Sequence, residues 1–401
     1  MEEQIKAEKQ EVKNEAPTES PSDSEAGPTR EELAISQLAD AFKQLGLKAE
    51  VVSCDIKGPL VRYSVKPVKV RLQRLQALAE DIALIVGSKA PPIVRPDYES
   101  RQIILEMMFD AHPLVEFSKL SAATRISSIE ITDKCQIPLL VGTTDIDVPL
   151  ILDLTNMPHI LVAGSTGSGK SMMLHSIINS LEQNYKNIGI EVALIDPKYV
   201  EFDFYSNSKM MRYPEVYRNI EDATGVLDEL YDQMERRLRV FKKHGCRDIL
   251  EYRKKVKKIP YIVLVIDEIA DLIRGVAKPN KAFKDKLCAL AEKSRAAGIH
   301  LIIATQHPSA KLLTSEILQN FPCKIACKVS KAVHSRVVLE ISGAEKLLGN
   351  GDALLLDSTG RMIRFKGAFV SMKDVAKSHK SSIEKKSFFK SAIAIINKNK
   401  K

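Results

Sequence analysis

The chain has 401 residues, 44% of them hydrophobic and 28% charged, enough to bury more core than one average domain holds. No run approaches the ~18 apolar residues of a membrane span, and the acid-rich start MEEQIKAEKQ lacks the apolar stretch of a secretory signal; the expectation is a cytoplasmic chain with no direct membrane span. The net charge of +9 is unevenly placed: residues 1–32 carry ten acids against four bases, residues 373–401 nine lysines against two acids, and the body between is itself basic, a surplus that fits a polyanionic partner.

Residues 1–32, rich in Glu, Lys, Ser and Pro, read as a disordered acidic leader. The dyad Thr29-x-x-Glu32, followed by Leu33, Ile35, Leu38, Phe42 and Leu45, predicts an amphipathic helix that Gly46 ends. Strand-like Ala49–Cys54, the Gly58-Pro59 turn, Leu60–Lys66, a helix over about 72–86 and a strand-rich stretch through Arg101–Met107 make a small α+β domain over 33–115. From about Ile126 the pattern becomes strands followed by long helices. Apolar segments at Leu150–Leu154, Ile160–Ala163, Ile190–Ile195, Ile262–Ile266, His300–Ala304 and Lys324–Val329 alternate with helical runs or turns, the clearest helix spanning about Ile220–His244. Residues 116–372 therefore predict an α/β fold: a mostly parallel sheet, helices on both faces, and a ligand at the carboxyl edge. In the tail over 373–401, Ile383, Phe388, Phe389, Ala392, Ile393 and Ile396 form an amphipathic pattern with a lysine-rich face, suited to docking on the body or to an anionic surface. Six cysteines without CxxC pairs read as buried reduced thiols, Cys323 and Cys327 as strand residues.

The eight residues Gly164 to Ser171, GSTGSGKS, match the phosphate-cradling loop G-x-x-x-x-G-K-[ST], with an apolar lead-in at His159–Ala163 and a helix-compatible run over Met172–Leu181 behind. Gly164, Gly167 and Gly169 are expected to adopt left-handed angles, so that the backbone N–H groups of Ser165, Thr166 and Ser168 join theirs in an anion-binding nest. Lys170 then faces the β and γ phosphates of ATP, and Ser171 offers its hydroxyl to Mg²⁺. Tyr261 to Glu268, YIVLVIDE, reads as a buried strand with two carboxylates where it surfaces. Asp267 suits the Mg²⁺ shell, and Glu268 suits orienting and deprotonating an attacking water.

Six segments in order, HILVAGSTGSGKS (159–171), LIDPK (194–198), YIVLVIDEIADL (261–272), SRAAGIHLIIATQHPS (294–309), SGAEKLLGNGDALL (342–355) and GAFVS (367–371), resemble the motifs of the FtsK/SpoIIIE family of double-stranded DNA translocases. The similarity covers nearly all of 33–372. It implies a RecA-like P-loop motor preceded by the family's small α-like domain, ATP hydrolysis, double-stranded DNA as partner and a homo-hexameric ring. It also implies roles for further residues. Gln306 takes the position of the polar sensor, with a strand-end hydrogen bonder as the alternative. Arg295 matches an arginine finger reaching a neighbour's nucleotide, with Arg336 as rival and a structural salt bridge as the bland reading for either. Asp196 and Lys198 couple nucleotide state to the substrate channel or cap a helix. His307, Lys311 and Lys331, on the loops after the strands at 300–304 and 324–329, are the candidates for contact with the DNA backbone.

Two departures qualify the resemblance. The family commonly reads Thr-Gln-Arg-Pro-Ser where this chain has His307, and a neutral imidazole weakens phosphate contact, so grip is redistributed or pH-sensitive. Family members that pump chromosomes carry membrane spans and a winged-helix module; neither is read in this sequence, since only 30 residues follow GAFVS. The expectation therefore extends from chromosome segregation to plasmid, phage or mobile-element DNA, with a membrane or recruiting protein partner left open. A secretion-type ATPase moving protein and a non-hydrolytic DNA-tethering scaffold are the alternatives.

Overall fold

A computed structural model describes residues 28–111, 113–126, 135–145, 148–274 and 278–371. The lysine-rich tail and most of the acidic leader lie outside the described residues. Thr29 caps α1 (Arg30–Gln44): its hydroxyl accepts the Glu32 N–H at 3.2 Å, and the Glu32 carboxylate accepts the Thr29 N–H at 2.8 Å. This is the capping box that the Thr-x-x-Glu spacing predicts, and it makes residues 30–32 helix rather than leader.

Two strands, β1 (Ala49–Lys57) and β2 (Leu60–Pro67), meet across Gly58-Pro59. With β3 (Ile93–Asp97) and β4 (Gln102–Met108) they form an antiparallel sheet ordered β1-β2-β4-β3. Leu38 and Phe42 of α1 pack with Tyr63, Val65 and Leu105 of the sheet, and with Leu75 of α2 (Leu72–Ala77) and Ile82 of α3 (Ala79–Val86). The single helix expected over 72–86 is kinked at Leu78. Helical bonding continues across the kink, Leu78 N–H to Arg74 O and Ile82 N–H to Leu78 O.

The remaining chain forms α4 (Phe117–Thr124), β5 (Pro138–Asp145), β6 (Val148–Asp153), β7 (His159–Ala163), α5 (Lys170–Asn184), β8 (Ile190–Ile195), α6 (Ile220–Lys243), α7 (Ile249–Lys255), β9 (Tyr261–Ile266), α8 (Ile269–Ile273), α9 (Lys278–Lys293), β10 (Ile299–Thr305), α10 (Ser315–Asn320), β11 (Cys323–Cys327), α11 (Ala332–Leu339), β12 (Asp352–Leu356) and β13 (Met362–Gly367). Among the described residues nine strands join one sheet, ordered β6-β5-β13-β12-β11-β7-β10-β9-β8. The five strands from β11 to β8 are parallel, as expected; beyond β11 the sheet continues through four antiparallel strands. The mostly parallel description thus holds for the half that carries the site. Side chains alternate between two cores. Ile160, Val162, Val192 and Val263 pack against Leu174, Ile177 and Leu181 of α5, while Leu161, Ala193, Leu264 and Ile303 pack against Val226 and Leu230 of α6 and Phe283 of α9.

Register places the chemistry. Ala163 stands opposite Thr305 and Ala326, and Ile266 opposite Ile195 and Ile303, so the five parallel strands end nearly level. All six residues of β9 are buried, and each buried Val, Leu or Ile contributes about 1.5–3 kcal/mol. The loops at this edge therefore spring from fully buried strands.

Candidate nucleotide site and basic cleft

The loop over Gly164–Ser171 is pinned on three sides. Gly164 N–H donates to Thr305 O at 3.1 Å, Ser165 N–H to Lys328 O at 2.8 Å, and Gly351 N–H to Ser168 O at 2.9 Å. Gly167 (φ +77°) and Gly169 (φ +104°) are left-handed as predicted, whereas Gly164 is not. Glycine is required at 164 for space instead: a Cβ there would stand 2.4 Å from Ser168 Oγ and 2.8 Å from Cys327 Cβ. The loop borders a cavity of about 590 Å³, a volume suited to a nucleotide. Thr166, Lys170 and Ser171 line it, as do Leu114 and Phe369, both exposed.

Lys170 opens α5 and is buried, with Nζ 2.5 Å from Asp267 Oδ1 and 3.2 Å from Asp267 O. Burial pushes the Asp267 carboxyl above its ordinary value, and Lys170 opposes that shift. Lys170 and Asp267 thus hold each other where neither is fully solvated. Glu268 is fully buried, its Oε1 accepting Thr305 Oγ1–H at 2.7 Å and its Oε2 accepting Gln306 N–H at 2.9 Å and Lys198 Nζ at 3.2 Å. Neither Asp267 nor Glu268 lines the cavity; Gln306 does, and its side-chain oxygen accepts from Thr166 Oγ1 at 3.1 Å. Gln306 therefore touches the phosphate loop with its side chain and Glu268 with its backbone.

Sequence reasoning missed Glu201. Ser171 Oγ donates to Glu201 Oε1 at 2.6 Å, and Glu201 Oε2 lies 3.3 Å from His175 Nε2. The hydrogen bonds from His175 and Ser171 hold the Glu201 carboxyl below its usual range despite partial burial. Asp196, fully buried, folds the turn that carries Lys198 and Glu201. Its Oδ1 accepts Lys198 N–H at 3.0 Å, and its Oδ2 accepts the N–H groups of Val200, Glu201 and Phe202 at 3.0, 2.8 and 3.2 Å. The only available signal was an acid three residues beyond LIDPK. It carries no motif on its own.

Arg295 is exposed on the turn before β10, at the sheet edge opposite the phosphate loop, and borders a separate cleft with Arg247 and Asp248. The structure does not bring it to the phosphate loop of its own chain; Arg336 is exposed on α11. His307 and Lys311 do meet, in a shallow cleft with Arg274 and His334 that the sequence reading did not assemble. Lys331 is exposed at the start of α11, where its carbonyl accepts the His334 N–H at 3.0 Å. Cys323 and Cys327 are buried strand thiols, each pushed up to about 12 by burial, while Cys54 and Cys135 are only partly buried. Among the described residues no helix is long and apolar enough to cross a membrane.

Residues 127–310 match the FtsK/SpoIIIE family model. The DNA translocase FtsK of Listeria monocytogenes is 35% identical over 352 residues, 84% of this chain and 45% of that protein. The DNA translocase SpoIIIE of Bacillus subtilis is 35% identical over 356 residues, 85% of this chain and 44% of that protein. The chain thus spans less than half the length of these curated relatives. Two solved structures share the fold. The pCW3 conjugation coupling protein TcpA, in monomer form with ATPγS, has a TM-score of 0.60 at 24% identity, covering 87% of this chain and 99% of that one. The cytoplasmic domain of the Thermomonospora curvata type VII secretion ATPase EccC has a TM-score of 0.56 at 23% identity, covering 66% and 34%. Motif order, sheet order and these similarities lead to one conclusion: the chain belongs to the FtsK/SpoIIIE family.

Proposed function

We propose that this chain is a Mg²⁺-ATP-driven motor that moves double-stranded DNA, with a small α+β domain over 33–115 preceding a motor domain over 116–372. The observation that carries the reading is the level edge of the five parallel strands, where the pinned glycine loop, Lys170, Asp267, Glu268 and Gln306 gather beside one nucleotide-sized cavity. The relatives' description as DNA translocases and the basic cleft at His307, Lys311, Arg274 and His334 support duplex DNA as the cargo.

Each residue has a task in this reading. The loop N–H groups and Lys170 take the phosphates, so Lys170 exchanges Asp267 for phosphate oxygens and frees that carboxylate. The oxygen donors here, Ser171 Oγ with the Asp267 carboxylate, suit a hard cation such as Mg²⁺, which when bound supplies charge neutralisation of the phosphates. Glu268 orients and deprotonates water once the hydrogen bonds from Thr305 and Gln306 loosen, and Gln306 relays the state of the phosphates to the loop bearing His307. Leu114 and Phe369 cover the base. In a hexameric ring, which the family resemblance implies, Arg295 of one subunit completes the site of the next, with Arg336 as rival, and Lys331 adds to the DNA grip. Work on the purified chain tests this: ATPase activity stimulated by duplex DNA and abolished by Glu268→Gln is expected. Stimulation by a polypeptide instead of duplex would move the reading to protein secretion, and binding without turnover would reduce it to a tether.

A further inference from the structure

We propose that Glu201 is a positioning residue of the Mg²⁺ site: it fixes the Ser171 hydroxyl with its hydrogen on the Glu201 carboxylate, leaving the oxygen lone pairs free for the cation. The inference rests on the nucleotide reading above, and its test separates the two. In this chain two carboxylates divide two partners at the head of α5. Asp267 engages Lys170, and Ser171 is left to Glu201, which donates nothing and can only accept the hydroxyl hydrogen. A hydroxyl that gives its hydrogen to a carboxylate gains electron density on oxygen and keeps two lone pairs, which makes it a better ligand for a hard cation.

Glu201 is tethered at three points. Oε1 takes the Ser171 hydroxyl, and Oε2 is met by His175 Nε2, one turn further along the same helix. The backbone N–H of Glu201 is fixed by Asp196 Oδ2. His175 is itself buried and held through Nδ1 by Tyr205 OH at 2.9 Å, which also accepts from Asn179 Nδ2 at 3.0 Å. Glu201 lines the cavity, so its charge faces the place where the cation would sit. The same turn that presents Glu201 presents Lys198 to Glu268. One fold of LIDPKYVE thus supports both the metal-facing serine and the proposed water-activating acid.

The test measures binding, not turnover. Affinity of the full chain for a fluorescent ATP analogue is determined in excess Mg²⁺ and in EDTA, for the parent, Glu201→Gln and Glu201→Ala, with melting temperatures confirming the fold. The parent binds more tightly in Mg²⁺ than in EDTA. Glu201→Gln, which keeps an oxygen for Ser171 but loses the charge, lowers that Mg²⁺-dependent gain about tenfold, and Glu201→Ala lowers it towards a hundredfold, as loss of outer-sphere partners does elsewhere. Affinity in EDTA stays within twofold of the parent. A full Mg²⁺ gain in both variants overturns the inference and leaves the nucleotide reading standing, as does an equal loss with and without Mg²⁺. A parent that binds nucleotide but gains nothing from Mg²⁺ overturns the inference alone, and a parent that binds no nucleotide removes both.

Discussion

Replacing Asp196 by Asn tests whether one buried carboxylate organises both acidic arms of the site. Asp196 accepts four backbone N–H groups, three on Oδ2 and one on Oδ1, and is fully buried. An asparagine keeps one acceptor oxygen. Turned toward Val200, Glu201 and Phe202, it retains three bonds but loses the charge that strengthens each, about 1 kcal/mol apiece, and sets its NH₂ against Lys198 N–H at a further cost of about 1–3 kcal/mol. Relaxation of this partly solvated turn reduces the sum, leaving about 3–5 kcal/mol. Urea unfolding, compared with the parent at equal m-value, measures it. Because the lost bond holds Lys198 and a weakened one holds Glu201, nucleotide affinity in Mg²⁺ should fall at least tenfold in the same variant. A midpoint within about 0.5 kcal/mol of the parent, with Mg²⁺-nucleotide affinity unchanged, would refute the assignment of Asp196 as the organiser.

Gly164→Ala should displace the loop, since its Cβ meets Ser168 Oγ at 2.4 Å and Cys327 Cβ at 2.8 Å; about 1–3 kcal/mol of stability and most nucleotide affinity are lost, and unchanged binding would contradict the packing argument. Phe369→Ala should weaken binding of ATP, and equally of its base analogues, by about 0.5–1.5 kcal/mol in a titration while leaving inorganic triphosphate binding unchanged; equal loss for both ligands would place the base elsewhere. Acid should destabilise the fold through the two histidines at the base of β7 and β10. Burial drives His159 down to about 3 and His300 down to about 4, and His159 Nδ1 must stay unprotonated to accept Leu301 N–H at 3.0 Å. Their folded values lie below the unfolded 6.5, so stability is intact above pH 6.5 and falls as pH drops toward 4, by about 3 kcal/mol for His300 alone. Melting temperatures between pH 7 and 4 that do not change on His300→Phe would argue against it.

The elements most readable in the sequence are those whose local signals agree with their burial. The capping box at Thr29 and the apolar run of β9 fall where expected because capping and strand hydrophobicity are local properties. The antiparallel extension was not legible: DALLL of β12 is as short and apolar as a buried helix turn, and only its pairing with β11 and β13 makes it a strand. Within the site, the phosphate loop, Asp267, Glu268 and Gln306 converge because each sits at a strand end, which the sequence displays. Glu201 comes from an irregular turn folded by Asp196, and no periodicity announces such a turn. The cleft at His307 depends on α8 and α11 approaching the loop after β10, a long-range contact that no window of sequence contains.

The central claim is motion along duplex DNA driven by hydrolysis at the Lys170–Glu268 edge. Displacement of a triplex-forming strand from linear duplex, by the purified full chain with Mg²⁺-ATP, tests it most directly. The account predicts displacement by the parent and none by Glu268→Gln, although that variant still binds nucleotide. ATP hydrolysis by confirmed rings without displacement would contradict it.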